Sequence, residues 1–225
     1  MLKVLVVLVL SLLPTFAFAM SSGGSGGMGR WNIFGFYGLG SVNPSDANSV
    51  IKLAPSVPAL NTLSSNTLFG GGLGYMLNPK FRFDVMYDQQ DSKNPSSSTN
   101  FGSNAGFELM QNTLWGILNY NLIQTNSIYV YVGAGLGYSL YSHATFTANA
   151  TKTEYDADKN LAFIGQAGIG VMLGRMFSVF FEGGYDSLAM GTLKSNNAPL
   201  VTGTGTQAKM DMSGARGEAG LRLHF

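Results

Sequence analysis

The 225-residue sequence contains no cysteine, so disulfide bonds, thiol nucleophiles and cysteine-ligated metal sites are excluded. Charged residues make up only 11% of the chain, against about 25% in soluble domains, so a soluble protein of this composition would lack a hydrophilic surface. The 13 lysines and arginines nearly balance the 12 acidic residues, which leaves no basic excess for binding nucleic acid. Two histidines offer little material for catalysis or metal binding. No cofactor and no metal is therefore expected.

Long hydrophobic runs are also missing after the first 19 residues. Those residues combine Lys3, an apolar core broken by Pro14 and the motif Ala17-Phe18-Ala19, which predicts a signal peptide over residues 1–19. A retained membrane anchor is the alternative, but the run is short for a spanning helix, which needs about 20 residues. Residues 20–29 predict a flexible Gly/Ser leader in the periplasm. The remaining residues, 30–225, can enter a membrane only as strands.

The sequence is rich in glycine, with 30 residues, and in aromatic residues, at 12%. Its last stretch alternates with a period of two, the mark of a β-strand with two unlike faces. Gly220 belongs to the polar face, where a serine is expected to be tolerated. The apolar face contains Ala215, Ala219, Leu221, Leu223 and Phe225, and the polar face contains Arg216, Glu218, Arg222 and His224.

The same alternation recurs along the chain and predicts eight strands. Short turns at 78–80, 123–126 and 174–175 alternate with long polar connections at 42–64, 91–106, 143–158 and 192–208. Short turns at one end and long loops at the other are typical of bacterial outer-membrane barrels. We therefore predict an all-β fold, an eight-stranded antiparallel up-and-down transmembrane β-barrel over residues 30–225. The predicted strands cover 30–41, 66–77, 81–89, 109–122, 128–140, 160–173, 176–188 and 212–225.

Three features make the chain resemble the eight-stranded outer-membrane barrel family, which includes the transmembrane domain of outer membrane protein A and the opacity-type surface proteins. They are the Gly-x-Gly strand Tyr131–Tyr138, the inward Glu182 before the outward Tyr185, and the ending Leu221-Arg222-Leu223-His224-Phe225. The chain has no segment after the barrel like the peptidoglycan-binding domain of outer membrane protein A, so no wall-anchoring role is expected.

The resemblance implies an integral protein of the Gram-negative outer membrane with both termini in the periplasm. Its expected partners are outer-membrane lipid and lipopolysaccharide, the barrel assembly machinery, and a possible host or surface ligand held by the outer loops. The assembly signal would comprise Leu221, Leu223 and Phe225.

Three arginines and five acidic residues have inward parity on the predicted strands. Because the lumen of an eight-stranded barrel is only wide enough for side chains, these charges are expected to pair. Glu182 is expected to reach Arg216 or Arg222 on the neighbouring last strand. Charges on the third strand should meet the cluster on the last two strands across the lumen. The proposed network comprises Arg82, Asp84, Glu182, Arg216, Glu218 and Arg222, with Asp88 and Asp186 also inward. It predicts a structural plug, and a gate or ion path is the alternative.

Inward glycines are interpreted as space for bulky neighbours such as Trp115, Tyr129 and Tyr131, not as a phosphate loop, which would need a following helix and lysine. Some barrels of this size modify lipid A and use a hydroxyl nucleophile beside a histidine. Ser142 and His143 are adjacent on a strand and face opposite ways, so no catalytic residue is expected. The predicted function is a structural or surface-interaction (adhesin- or antigen-like) role with a closed lumen. A narrow channel for small solutes or ions is the alternative, and a lipid A-modifying enzyme is the less favoured one.

Overall fold

The computed structural model describes residues 30–42, 65–94, 106–148, 151–195, 198–199, 207 and 209–225. The predicted signal peptide and leader lie outside the described residues. No helix within the described ranges is long and apolar enough to cross a membrane.

Within these ranges, eight antiparallel strands close into a barrel, as predicted. The ring follows chain order, and pairing between the first and last strands closes it, with Asn32 opposite His224. Neighbouring strands are joined in sequence order, which gives the up-and-down topology. The barrel strands are β1 (Trp31–Ser41), β2 (Ser65–Asn78), β3 (Phe81–Asn94), β4 (Gly106–Gln124), β5 (Ile128–Ala148), β7 (Leu161–Met172), β8 (Phe177–Ser187) and β12 (Gly214–His224).

Four further strands lie outside the ring: β6 (Thr151–Ala157), β9 (Ala189–Ser195), β10 (Ala198–Pro199) and β11 (Lys209–Asp211). They correct the prediction that 143–158 and 192–208 are loops throughout. β6 pairs with the last six residues of β5, His143–Ala148, and β9 pairs with β6, β10 and β11. The prediction failed because these segments have polar residues on both faces, so hydropathy alternation does not reveal the strand.

The two faces of the wall are those that the alternation predicts. On β3, Phe83 and Val85 point outward and are 41% and 43% exposed, whereas Arg82 and Asp84 are 2% exposed. The outer surface is a continuous apolar belt, and the polar face lines the lumen. This distribution is the reverse of a soluble protein's and matches a wall surrounded by hydrocarbon.

Short turns gather at one end of the barrel, which we call the turn end; the opposite end is the loop end. In the turn after β2, the side-chain carbonyl of Asn78 accepts hydrogen bonds from the backbone amides of Lys80 and Phe81, at 2.9 and 3.0 Å. The turn after β7 contains Gly174 with a φ of 95°, a left-handed conformation that favours glycine. Trp31 and Phe225 exchange backbone hydrogen bonds of 3.0 and 2.9 Å at this end and so close the ring.

Candidate functional site

The lumen contains all six residues of the predicted charge network, and each is at most 9% exposed. They come from β3, β8 and β12, where inward parity places them. Asp88 on β3 and Asp186 on β8 are buried beside them. The lumen is the candidate site because it collects most of the buried ionisable side chains of the described residues.

Arg216 organises the half of the lumen nearer the loop end. Its Nη1 lies 2.9 Å from Asp88 Oδ2 and 3.4 Å from Asp186 Oδ2, and its Nη2 lies 2.7 Å from Glu218 Oε2. Gln90 donates a 2.8 Å hydrogen bond to Asp186. One guanidinium group therefore joins carboxylates from β3, β8 and β12 across the lumen. Asp88 and Asp186 have the same parity as the six predicted residues, so the sequence carried the signal that they belong here.

Asp84 organises the half nearer the turn end. Both of its carboxylate oxygens accept from Arg82 Nε at 2.9 Å, and Asn119 donates to Oδ2 at 2.9 Å. Arg222 Nη2 approaches the same oxygen at 3.5 Å from β12. Charges of β3 and β12 thus meet across the lumen, as expected, but Arg82 pairs within its own strand.

Glu182 does not form the expected ion pair with Arg216 or Arg222. It accepts hydrogen bonds from the Tyr131 hydroxyl at 2.6 Å and from Gln166 Nε2 at 3.0 Å. The register places Glu182 opposite Glu218, between the two arginines, and both guanidinium groups reach across to β3 instead. Glu182 therefore connects β8 to β5 and β7 through neutral donors.

Aromatic rings cover the guanidinium groups. Arg222 Cζ lies 4.8 Å from the Phe34 ring centroid and 5.1 Å from that of Phe180. Arg82 lies over Tyr131 at 4.7 Å. Cation–π contacts of this kind contribute about 2 kcal/mol when desolvated. Composition did not reveal them, because an inward phenylalanine in a polar-facing series looks like an irregularity of the alternation.

Six inward aromatic rings lie over inward glycines of the neighbouring strand. A Cβ on Gly168 would lie 2.5 Å from Cζ of Tyr131, a distance that real Cβ atoms do not adopt. The expectation that glycines make room for bulky neighbours is thereby confirmed, and several of these rings lie against the arginines of the two charged clusters. The opposed pairs are Phe34–Gly72, Phe36–Gly70, Trp115–Gly137, Tyr129–Gly170, Tyr131–Gly168 and Phe180–Gly220.

The two histidines lie at opposite ends. His143 Nδ1 is 3.1 Å from Asp156 Oδ1 on β6, and its neighbour Ser142 hydrogen-bonds Ser139. Inside the lumen, His224 Nε2 is 2.9 Å from the Ser178 hydroxyl, which is itself 3.0 Å from the Tyr129 hydroxyl. No pattern in the sequence indicates Ser178 as a partner of His224, because the two residues are 46 positions apart in the chain.

In the part of the chain that the structure describes, no group of three or more His, Cys, Asp or Glu side chains could hold a metal ion. The acidic residues of the lumen are instead engaged by arginine, amide and hydroxyl donors. The arrangement can hold charge and exclude bulk solvent.

Several solved structures share the fold. Neisserial surface protein A aligns with a TM-score of 0.54 at 13% identity, covering 89% of this chain and all of that one. OprG from Pseudomonas aeruginosa aligns at 0.52 with 20% identity, covering 88% and 98%. Ail of Yersinia pestis, solved in complex with the heparin analogue sucrose octasulfate, aligns at 0.51 with 11% identity, covering 88% and 100%.

A comparison with curated protein sequences gives no match. Residues 5–222 match the model of the family described as "Outer membrane protein beta-barrel domain". The match spans nearly the whole chain and agrees with the closed ring, the apolar outer belt and the charged lumen. The chain therefore belongs to the outer membrane protein β-barrel family and is an integral eight-stranded barrel of the outer membrane.

Proposed function

We propose that this barrel is a surface-contact protein whose lumen is closed and whose loop end carries the contact surface. The turn end, where the first barrel strand begins and the last one ends, then faces the periplasm. Short periplasmic turns and longer outer loops are the usual arrangement in bacterial barrels. The buried ion pairs and the rings stacked on them support closure of the lumen.

The observation that carries the proposal is the length of β5. It has 21 residues, whereas a tilted strand crosses the membrane with about 9–11. Its outer part pairs with β6 from His143 to Ala148, and β9 pairs with β6. We call β6, β9 and residues 143–148 of β5 the projecting sheet. A folded sheet held above the membrane by a rigid barrel offers a contact surface without the entropy cost of ordering a loop.

Side chains of the projecting sheet favour a protein partner. Lys152, Glu154 and Asp156 are exposed, and Lys194 forms a 2.9 Å ion pair with Asp158, so the surface contains charges of both signs. A polyanion such as the one bound to Ail would need a one-signed basic surface. On the part of β5 just before the projecting sheet, Tyr141 is 45% exposed and stacks on His143 with centroids 5.7 Å apart. An aromatic anchor within a mixed polar rim is typical of protein–protein contacts.

The test shortens the projecting sheet without altering the barrel. Thr145 and Glu154 are paired across the hairpin, so replacing 145–154 by Asn-Gly keeps the register of Ala144 and Tyr155 with a two-residue turn. We expect cells displaying the full barrel to adhere to cultured epithelial monolayers. Adhesion should fall in cells displaying the shortened barrel, which loses Lys152 and Glu154 but keeps Tyr141 and His143. Lys93→Gln, exposed on β3 outside the projecting sheet, should adhere normally. Equal adhesion by the full and shortened barrels contradicts the proposal.

We also propose that the chain is not an enzyme, although the Ser178–His224 contact is the observation that favours a hydrolase. Ser178 is fully buried and shares its hydroxyl with Tyr129, so it lacks an approach for a substrate. Treatment with a fluorophosphonate probe should leave the refolded barrel unlabelled. Labelling that disappears in Ser178→Ala would instead establish a serine nucleophile.

A further inference from the structure

The half of the lumen nearer the turn end contains more buried cationic charge than carboxylate charge. Arg82 and Arg222 both approach Asp84, so the three groups together hold one net positive charge. Each of the three residues is 2% exposed. The next acidic residue, Glu182, is engaged by Tyr131 and Gln166 and makes no ion pair with either arginine among the described residues.

Four nitrogen donors in this region have no hydrogen-bond acceptor within the described part of the chain: Arg82 Nη2, Arg222 Nε, Arg222 Nη1 and Asn32 Nδ2. An unpartnered buried donor costs about 1–3 kcal/mol, and more when it is charged. Asn32 belongs to the same region, because its amide atoms and Asp84 Oδ1 surround the position that a Cβ on Gly74 would occupy. Asn32 Oδ1 is also without a hydrogen-bond partner among the described residues, so it accepts from none of these donors. The donors therefore share one polar region and point to an acceptor that the protein does not supply.

We propose that Arg82, Arg222 and Asn32 form a binding site for one small monovalent inorganic anion, with chloride as the model ligand. An anion supplies the missing acceptor and cancels the net positive charge, whereas water supplies only the acceptor. The ligand is small because the rings of Phe34 and Phe180 lie close to Arg222, with centroids 4.8 and 5.1 Å from its guanidinium carbon, and restrict the space around that group.

The opposite half of the lumen does not compete for this ligand. There a single arginine, Arg216, forms ion pairs with three carboxylates, those of Asp88, Asp186 and Glu218. The excess charge in that half is therefore negative and repels anions. The lumen is thus positive toward the turn end and negative toward the loop end. This polarity fixes the anion at the turn end.

The first test measures denaturant unfolding in phosphatidylcholine vesicles, in sodium chloride and in sodium gluconate at equal ionic strength. A ligand that binds only the folded state lowers the apparent unfolding constant by the factor one plus its concentration over Kd, about tenfold at nine times Kd. We expect chloride to have this saturable effect on the wild type and on Arg175→Gln, whose arginine is exposed at a turn. We expect no chloride effect in Arg222→Gln, and a weaker one in Asn32→Leu, which keeps the charge and removes one donor.

The second test locates the ion and does not depend on whether Arg222→Gln folds. Anomalous diffraction from wild-type crystals soaked in bromide should show a peak within hydrogen-bond reach of both Arg82 and Arg222. Stability that is equal in chloride and gluconate, a chloride effect that persists in Arg222→Gln, or no bromide peak between the two arginines each overturns the site and assigns water to these donors.

Discussion

Replacing Arg216 by glutamine removes the cation that three lumen carboxylates share. Its contacts measure 2.9, 3.4 and 2.7 Å to Asp88, Asp186 and Glu218, and both sides of each pair are at most 4% exposed. Removing one partner of a buried ion pair costs about 3–5 kcal/mol, because the remaining charge stays desolvated. We expect Arg216→Gln to lower the unfolding free energy by about that amount.

The assay is urea unfolding of the refolded barrel in lipid vesicles, extrapolated linearly to water. Tryptophan emission reports the transition, since Trp115 is 1% exposed in the lumen and Trp31 is 41% exposed on the wall. Arg175→Gln removes the same charge at an exposed turn and is expected to change stability by less than about 0.5 kcal/mol. Adding Asp88→Asn to Arg216→Gln should recover part of the loss. A loss below about 1 kcal/mol for Arg216→Gln, or none beyond that of Arg175→Gln, would refute the shared-cation reasoning.

The remaining predictions concern β12 and use the same unfolding assay unless stated. Gly220→Ala should lower the unfolding free energy by about 1–3 kcal/mol through overpacking, because its new Cβ would lie 2.5 Å from the Phe180 ring. In Gly217→Ala the new Cβ meets no atom within 4 Å, so this variant should be nearly neutral. Equal effects of the two substitutions would contradict the packing. Leu221→Arg places a charge at a position that is 62% exposed on the outer wall. It should lower the unfolding free energy by about 2–4 kcal/mol if residue 221 lies near the membrane midplane. A neutral result would mean that residue 221 does not face lipid. Deleting Phe225 should reduce the yield of assembled barrel in membrane fractions relative to the periplasm, and an unchanged yield would count against a terminal assembly signal.

The sequence sufficed for the ring and for the two faces of its wall. On β3, four apolar residues alternate with Arg82, Asp84, Met86 and Asp88, and only one assignment of faces puts those charges away from lipid. Turn chemistry at Asn78 and Gly174 then fixed which strands are neighbours. Strong period-two alternation survives into the structure because lipid and lumen impose opposite polarity on every second residue.

The sequence did not suffice where the answer depends on side-chain direction or on strands outside the membrane. Glu182 has the parity for an arginine partner, but the direction of the guanidinium groups of Arg216 and Arg222 decides the pairing. Gly220 looks tolerant of serine from its polar face, yet the register sets it against the Phe180 ring. β6 exposes Lys152, Glu154 and Asp156, and its other face combines threonine with Tyr155 and Ala157, which pack against buried hydrophobic residues. This face is too short and too polar to give the hydropathy signal of a strand that crosses lipid.

Planar-bilayer conductance of the purified, refolded protein tests the closed lumen most directly. Because we propose that buried ion pairs and aromatic rings close the lumen, we expect wild-type currents at the baseline of the bare membrane, with no long-lived open level at either polarity. Arg216→Gln, which leaves three carboxylates without their cation, should show a greater leak of small cations. A large, steady wild-type conductance that is unchanged in Arg216→Gln would contradict the closed lumen and favour the channel.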